Sequence, residues 1–381
     1  MKQLLTCFAG HPCTRRVGRR LAPLYDVTAV VAAVDAVNAW SVNGSSLNSG
    51  DLASSLFAAS LFPYLVLLFF LSRPATGTPK LVSFGFQFLL VFVFATIPAG
   101  IYAKVHFHDV LANVDWLHGS AESLLTVTNT LIIFGFRQTR TQRADQSNEE
   151  AFLFRQVKGE QLNKARDWLL PLLLLLPALG AHTPEPLNAL TIPTWAVHTS
   201  SIMEWLIAME LAWEHSFTSG NPRWRGMTVA MMLSHLSGMA ACTFHFFYNN
   251  PSLSWVVSLQ ALTTVLGNSA MALAAYRIWR YGDEQAAEVT AAKQNNQLYT
   301  DLKSNDFDFL SNLFSKTILL AVLVKFGELY LPAASSAAPN PHVVLACMLV
   351  PVGVNAAYWA LKDAEERGGF VFAQTRSGDV V

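Results

Sequence analysis

The chain has 381 residues, 52% of them hydrophobic and only 14% charged, and its 26 basic and 26 acidic side chains cancel to a formal charge of zero. The apolar residues are gathered into blocks long enough to cross a hydrocarbon layer of roughly 30 Å, a pattern that a soluble core of this size does not need. Without a net field nothing steers nucleic acid onto the surface. Cys7, Cys13, Cys242 and Cys347 form no CxxC pair, so neither a disulfide framework nor a zinc site is indicated, and no metal site is expected.

Residues 1–50 open with Lys2, Arg15, Arg16, Arg19 and Arg20 and hold no acid before Asp26. That is the pattern of an organelle transit peptide or of a basic tail on the positive side of a membrane, and both readings stay open. Residues 24–42 have a helical pattern but carry Asp26 and Asp35, which predicts an amphipathic or half-inserted helix. Nine spans follow, at 54–71, 81–104, 118–137, 168–181, 193–214, 226–248, 253–280, 310–331 and 342–362. The expected fold is an all-α polytopic transmembrane helical bundle. Its units are a first three-helix membrane unit (51–137), a polar loop (138–167), a short connecting span (168–181), a second three-helix unit (191–280), a polar linker (281–309), a C-terminal hairpin (310–362) and a tail (363–381).

The segment 168–181, WLLPLLLLLPALGA, rises only about 21 Å as a helix and holds Pro171 and Pro177. Loop charge argues that it crosses. If it does, every loop without Lys or Arg (43–53, 105–117, 182–192, 249–252, 332–341) falls on one side. Arg73, Lys80, the seven basic residues of 137–167, Arg223, Arg225 and the linker fall on the other. A re-entrant segment would invert everything after it, against the positive-inside tendency. The C-terminus and the basic loops then face the cytoplasm or stroma.

His106, Trp116 and Asn129 recur as His245, Trp255 and Asn268 at a constant offset of 139. With one extra crossing between the halves, this predicts a parallel duplication of a three-helix unit.

The run from Thr191 to Trp279, with IPTWAVH, HLSGMAACTFHFFYN and LGN followed by AAYRI, resembles the hypothetical chloroplast reading frame forty-nine family of cyanobacteria and plastids. Residues 54–137, with SLFPYLVLLFFLSRP, IPAGIYAKVHF and NVDWLHGSAESLLT, resemble a second domain of unknown function from the same photosynthetic lineages. The resemblance implies a thylakoid or other plastid membrane and a link to photosynthesis, and it brings no assigned activity or catalytic residues.

Ionisable residues within spans are costly, on the order of 2.5–3.5 kcal/mol each, so each needs a partner or a task. On descending and ascending helices of regular rise, two levels emerge in the second half: His198 with His245 near the uncharged face, and Glu204 with His235 near mid-membrane. His118 and Glu122 are four apart on one helix face, as Lys325 and Glu328 are three apart, and each is expected to pair. Asn129, Asn268 and Asn355 are expected to join helices, and Trp116, Trp195 and Trp255 to form an interfacial belt.

His198, His235, His245, His106 and His118 are the candidate ligands of a tetrapyrrole, chlorophyll or haem, through a neutral imidazole nitrogen. A polar pair at Glu204 and His235, or a proton or ion path through them, are the alternatives. HExxH, a Walker loop, GxSxG and GxGxxG are all absent, so no catalytic residue is expected. The leading expectation is a non-enzymatic assembly, maintenance or auxiliary factor of a photosynthetic complex, in contact with lipid and with subunits of that complex. A small-solute or ion transporter comes second and a membrane-embedded enzyme third.

Overall fold

The structure is a computed structural model that describes residues 50–144, 185–288, 304–330 and 338–377. The basic N-terminus, the amphipathic segment 24–42 and the short crossing 168–181 lie outside these residues. Every regular element among them is helical. The long helices are α1 (Gly50–Leu71), α2 (Lys80–Tyr102), α3 (Asp115–Ala144), α4 (Ile192–Thr218), α5 (Trp224–Phe246), α6 (Ser254–Glu288), α7 (Ser304–Tyr330) and α8 (Pro341–Ser377). A single wide turn, Ala103–Phe107, ends α2, and His108 then turns the chain with a positive φ of 55°.

Six of these helices are long and apolar enough to cross a membrane: α1, α2, α5, α6, α7 and α8. The other two, α3 and α4, have 30 and 27 residues, ample length for roughly 30 Å of hydrocarbon, but they carry too many polar side chains to register as apolar spans. The helices also outrun the apolar stretches from which spans are read. For example, α6 continues through Arg280 and Glu284, and α8 through Lys362, Asp363 and Glu366. Backbone hydrogen bonding carries a helix on past the point where hydrophobicity ends, so a span marks a minimum length.

Six helices form a ring in the order α1, α6, α5, α4, α3, α2. The ring is nearly closed, because α2 and α1 scarcely touch beyond one hydrogen bond of 2.5 Å, from the Tyr64 hydroxyl to the Phe86 carbonyl. Helix α7 packs outside on α4, and α8 packs outside on α5. Glycines set the closest crossings: a Cβ on Gly135 of α3 would lie 2.5 Å from the Val82 amide nitrogen of α2, and one on Gly85 would lie 2.8 Å from Ile132 Cγ1. Only a residue without a side chain lets the two backbones approach this far.

Helices α1–α3 and α4–α6 pack against each other at both ends of their order: α3 lies along α4, while α6 lies along α1. In both contacts an asparagine carboxamide donates to a backbone carbonyl across the boundary, Asn129 to Ser201 at 3.3 Å and Asn268 to Ser60 at 3.0 Å. A cavity of about 320 Å³ runs down the middle of the ring.

Candidate metal centre

His118 is the fourth residue of α3, His198 the seventh of α4 and His245 the penultimate residue of α5. Each therefore sits within about 10 Å of rise from the helix end on the same face of the bundle, the face of the uncharged loops. Gly119 permits the meeting. A Cβ there would lie 2.7 Å from Thr194 Oγ1, so α3 and α4 touch backbone to side chain one residue away from His118.

The three imidazoles converge nitrogen to nitrogen. His118 Nε2 is 3.2 Å from His198 Nε2 and 3.2 Å from His245 Nε2, and His198 and His245 stack with ring centroids 4.7 Å apart. All three side chains are buried, with exposures of 1%, 4% and 4%. An imidazole nitrogen has one proton or one lone pair in the ring plane, so His118 Nε2 cannot make two well-directed hydrogen bonds at once. Three imidazole nitrogens within 4.8 Å of one another can serve as the donor set of a first-row transition metal. Bonds of 2.0–2.1 Å at a tetrahedral angle place neighbouring nitrogens about 3.3 Å apart, close to the spacing of the two His118 pairs.

Glu122 supports this arrangement. Its Oε2 is 2.8 Å from His198 Nδ1 and its Oε1 is 3.7 Å from His118 Nε2. A proton held on His198 Nδ1 by the carboxylate leaves the lone pair on Nε2, facing the other two rings, which is the second layer that metal-ligating histidines use. Among the described residues His118 Nδ1 is buried without a hydrogen-bond partner, and the Asn249 carboxamide stands beside His245. The expectation of no metal site did not take in this cluster, whose ring nitrogens lie close enough together to hold an ion. It rested on cysteine spacing, whereas these ligands are 80 and 47 residues apart in sequence and meet only through helix packing.

The other singled-out residues lie elsewhere. His106 is exposed, 4.2 Å from the Tyr102 ring, and does not join the cluster. His235 lines the cavity and its Nδ1 contacts the Asn355 carboxamide at 3.1 Å. Glu204 accepts from Ser200 Oγ at 2.7 Å while His235 meets Asn355, and no hydrogen bond joins Glu204 to His235 among the described residues.

Lys325 and Glu328 do meet, at 3.0 Å, and Glu185 joins them at 3.2 Å from the Lys325 ammonium. Trp116 and Trp255 are exposed, but Trp195 is buried at 1% and donates to Glu328 at 3.1 Å, so it anchors α7 instead of marking an interface. Two features escaped the sequence reading: Asn249, and the supporting role of Glu122. The i, i+4 spacing flagged Glu122 as a partner of His118, but nothing local shows that its stronger contact is with His198.

Two family descriptions match the chain: "Protein of unknown function (DUF3593)" at residues 53–141 and "Protein of unknown function (DUF2499)" at 189–277. His118 falls in the first match, and His198 and His245 in the second. A "Ycf49-like protein" of Synechocystis is 45% identical over 107 residues, 28% of this chain and 99% of that protein. An "Uncharacterized protein ycf49" of Cyanophora paradoxa is 30% identical over 82 residues, 22% of this chain and 80% of that protein. No solved structure matches. With nearly the whole of a 45%-identical relative covered, the chain belongs to the Ycf49-like family of cyanobacteria and plastids.

Proposed function

We propose that this chain is a membrane metalloprotein that holds one first-row transition metal ion at His118, His198 and His245. On this reading it serves a photosynthetic membrane as an assembly, maintenance or auxiliary factor, with its basic loops on the stromal or cytoplasmic side and α3 and α4 crossing the membrane beside the six apolar helices. The observation that carries the metal is the convergence of three buried imidazoles, with His118 Nε2 3.2 Å from the Nε2 of each of the other two and all three within 4.8 Å of one another. The same contacts speak against a tetrapyrrole on any of these three rings, because no gap is left between them for a macrocycle. The thylakoid address rests on the family, whose curated relatives come from a cyanobacterium and from Cyanophora. The reciprocal Asn129 and Asn268 contacts support the reading of the two units as a duplication.

Elemental analysis of the gently purified protein tests the proposal. About one equivalent of a first-row metal per chain is expected, lost in each of His118→Ala, His198→Ala and His245→Ala and retained in His106→Ala. Metal-free protein that reconstitutes with no first-row ion, or single variants that keep full occupancy, would sink it.

A further inference from the structure

The cavity begins where the metal centre ends. Glu122 and His198 line its upper end, and its walls continue on α3 to Ile132, ten residues on, or about 15 Å along the bundle. A volume of about 320 Å³ drawn out over that length is narrow, one chain wide. Its lower part is faced by apolar side chains such as Leu89, Phe92 and Met271, and its walls include α1 and α2, the pair that scarcely touch. Apart from the Tyr64–Phe86 hydrogen bond this pair is loosely packed, so it is the side of the ring where a molecule would enter with the least disruption.

The upper end specifies a head group. Glu122 is an acceptor whose Oε2 is engaged by His198 Nδ1, while its Oε1 has no hydrogen bond among the described residues. A tetrahedral metal on three imidazoles lacks one donor. A hydroxyl supplies both needs: its proton goes to the carboxylate and its oxygen lone pair to the metal. An ester or an ether offers the lone pair but no proton.

Resting on the metal reading above, we propose that the cavity binds a single-chain membrane amphiphile ending in an alcohol or phenol, admitted between α1 and α2, with its hydroxyl placed between Glu122 and the metal. Helix α5 provides the means to test this. A Cβ on Gly238 would lie 2.8 Å from Ile202 Cδ1, the far end of a flexible side chain, so a leucine there can be accommodated only by filling the cavity.

The experiment uses the full chain in nanodiscs with two probes, a diazirine-bearing hexadecanol and its methyl ether, and measures metal content on the same samples. The alcohol is expected to label cavity-lining peptides of α1, α2 and α5 at least tenfold more than the ether does. Gly238→Leu is expected to abolish that labelling while the metal stays at one equivalent. Equal labelling by the two probes, or labelling confined to outward-facing positions, with metal present, overturns this inference and leaves the metal centre standing. Absence of metal from the wild-type chain removes the reading on which it rests. If Gly238→Leu loses metal as well, the comparison of alcohol with ether on the wild-type chain still decides.

Discussion

Among single residues, Glu122 acts on the proposed metal through His198. Removing a carboxylate that orients a ligating histidine typically weakens metal binding 10–100-fold. Glu122→Ala is therefore expected to lower affinity by that factor in a chelator competition, and Glu122→Gln, which keeps an acceptor for His198 Nδ1, by less. Gly119 acts by distance: Gly119→Val pushes Thr194, and with it α4, away from His118, and is expected to release the metal at chelator concentrations the wild type withstands. All three ligands were visible in the sequence as histidines too costly to bury idly. What was not visible was their meeting, because rise along a helix gives depth but not azimuth. His198 and His245 were placed together by depth alone, and His118 was left with its own neighbour Glu122 because no local signal reports that α3 packs against α4.

For the helices themselves, α7 shows how a charged group is held among apolar neighbours. Lys325 is 3% exposed and Glu328 fully buried, and they bind each other, the Leu190 carbonyl, Glu185 and Trp195. The Tyr248 hydroxyl adds a 2.7 Å bond to the Glu328 carbonyl, so α7 is fastened to the start of α4 and to the end of α5, beside the metal centre. Removing one partner of a buried pair leaves the other uncompensated, at a cost of about 3–5 kcal/mol. Lys325→Met is thus expected to lower the thermal midpoint in detergent sharply. The double variant Lys325→Met with Glu328→Gln recovers most of the loss, since the amide still accepts from Trp195 without a buried charge. The pairing was legible from the three-residue spacing; Glu185 and Trp195 were not, since they come from outside α7. Helix positions were read well where apolar residues are continuous. They fell short at the ends of α3, α6 and α8, where the helix runs on through charged residues.

Across the whole molecule, the three histidines gather at a single place in the ring among the described residues. At the offset that relates Asn129 to Asn268, the counterpart of His245 is the exposed His106, and the counterparts of His118 and His198 are Val257 and Ala59. The centre is therefore confined to one end of one side of the ring, with one ligand borrowed from the first unit. His118 and His245 are 127 positions apart, more than the 107 residues over which the Synechocystis relative matches. No segment of that length can hold counterparts of all three ligands. Where the units are separate proteins, the same centre would require two chains to find each other, and its occupancy would fall on dilution. In this chain the tether holds the second unit at a high effective concentration, and occupancy does not depend on the amount of protein present. Cutting the polypeptide between residues 144 and 185 restores the dependence: two co-expressed pieces are expected to share one metal per pair, and to lose it on dilution at a concentration where the uncut protein keeps it.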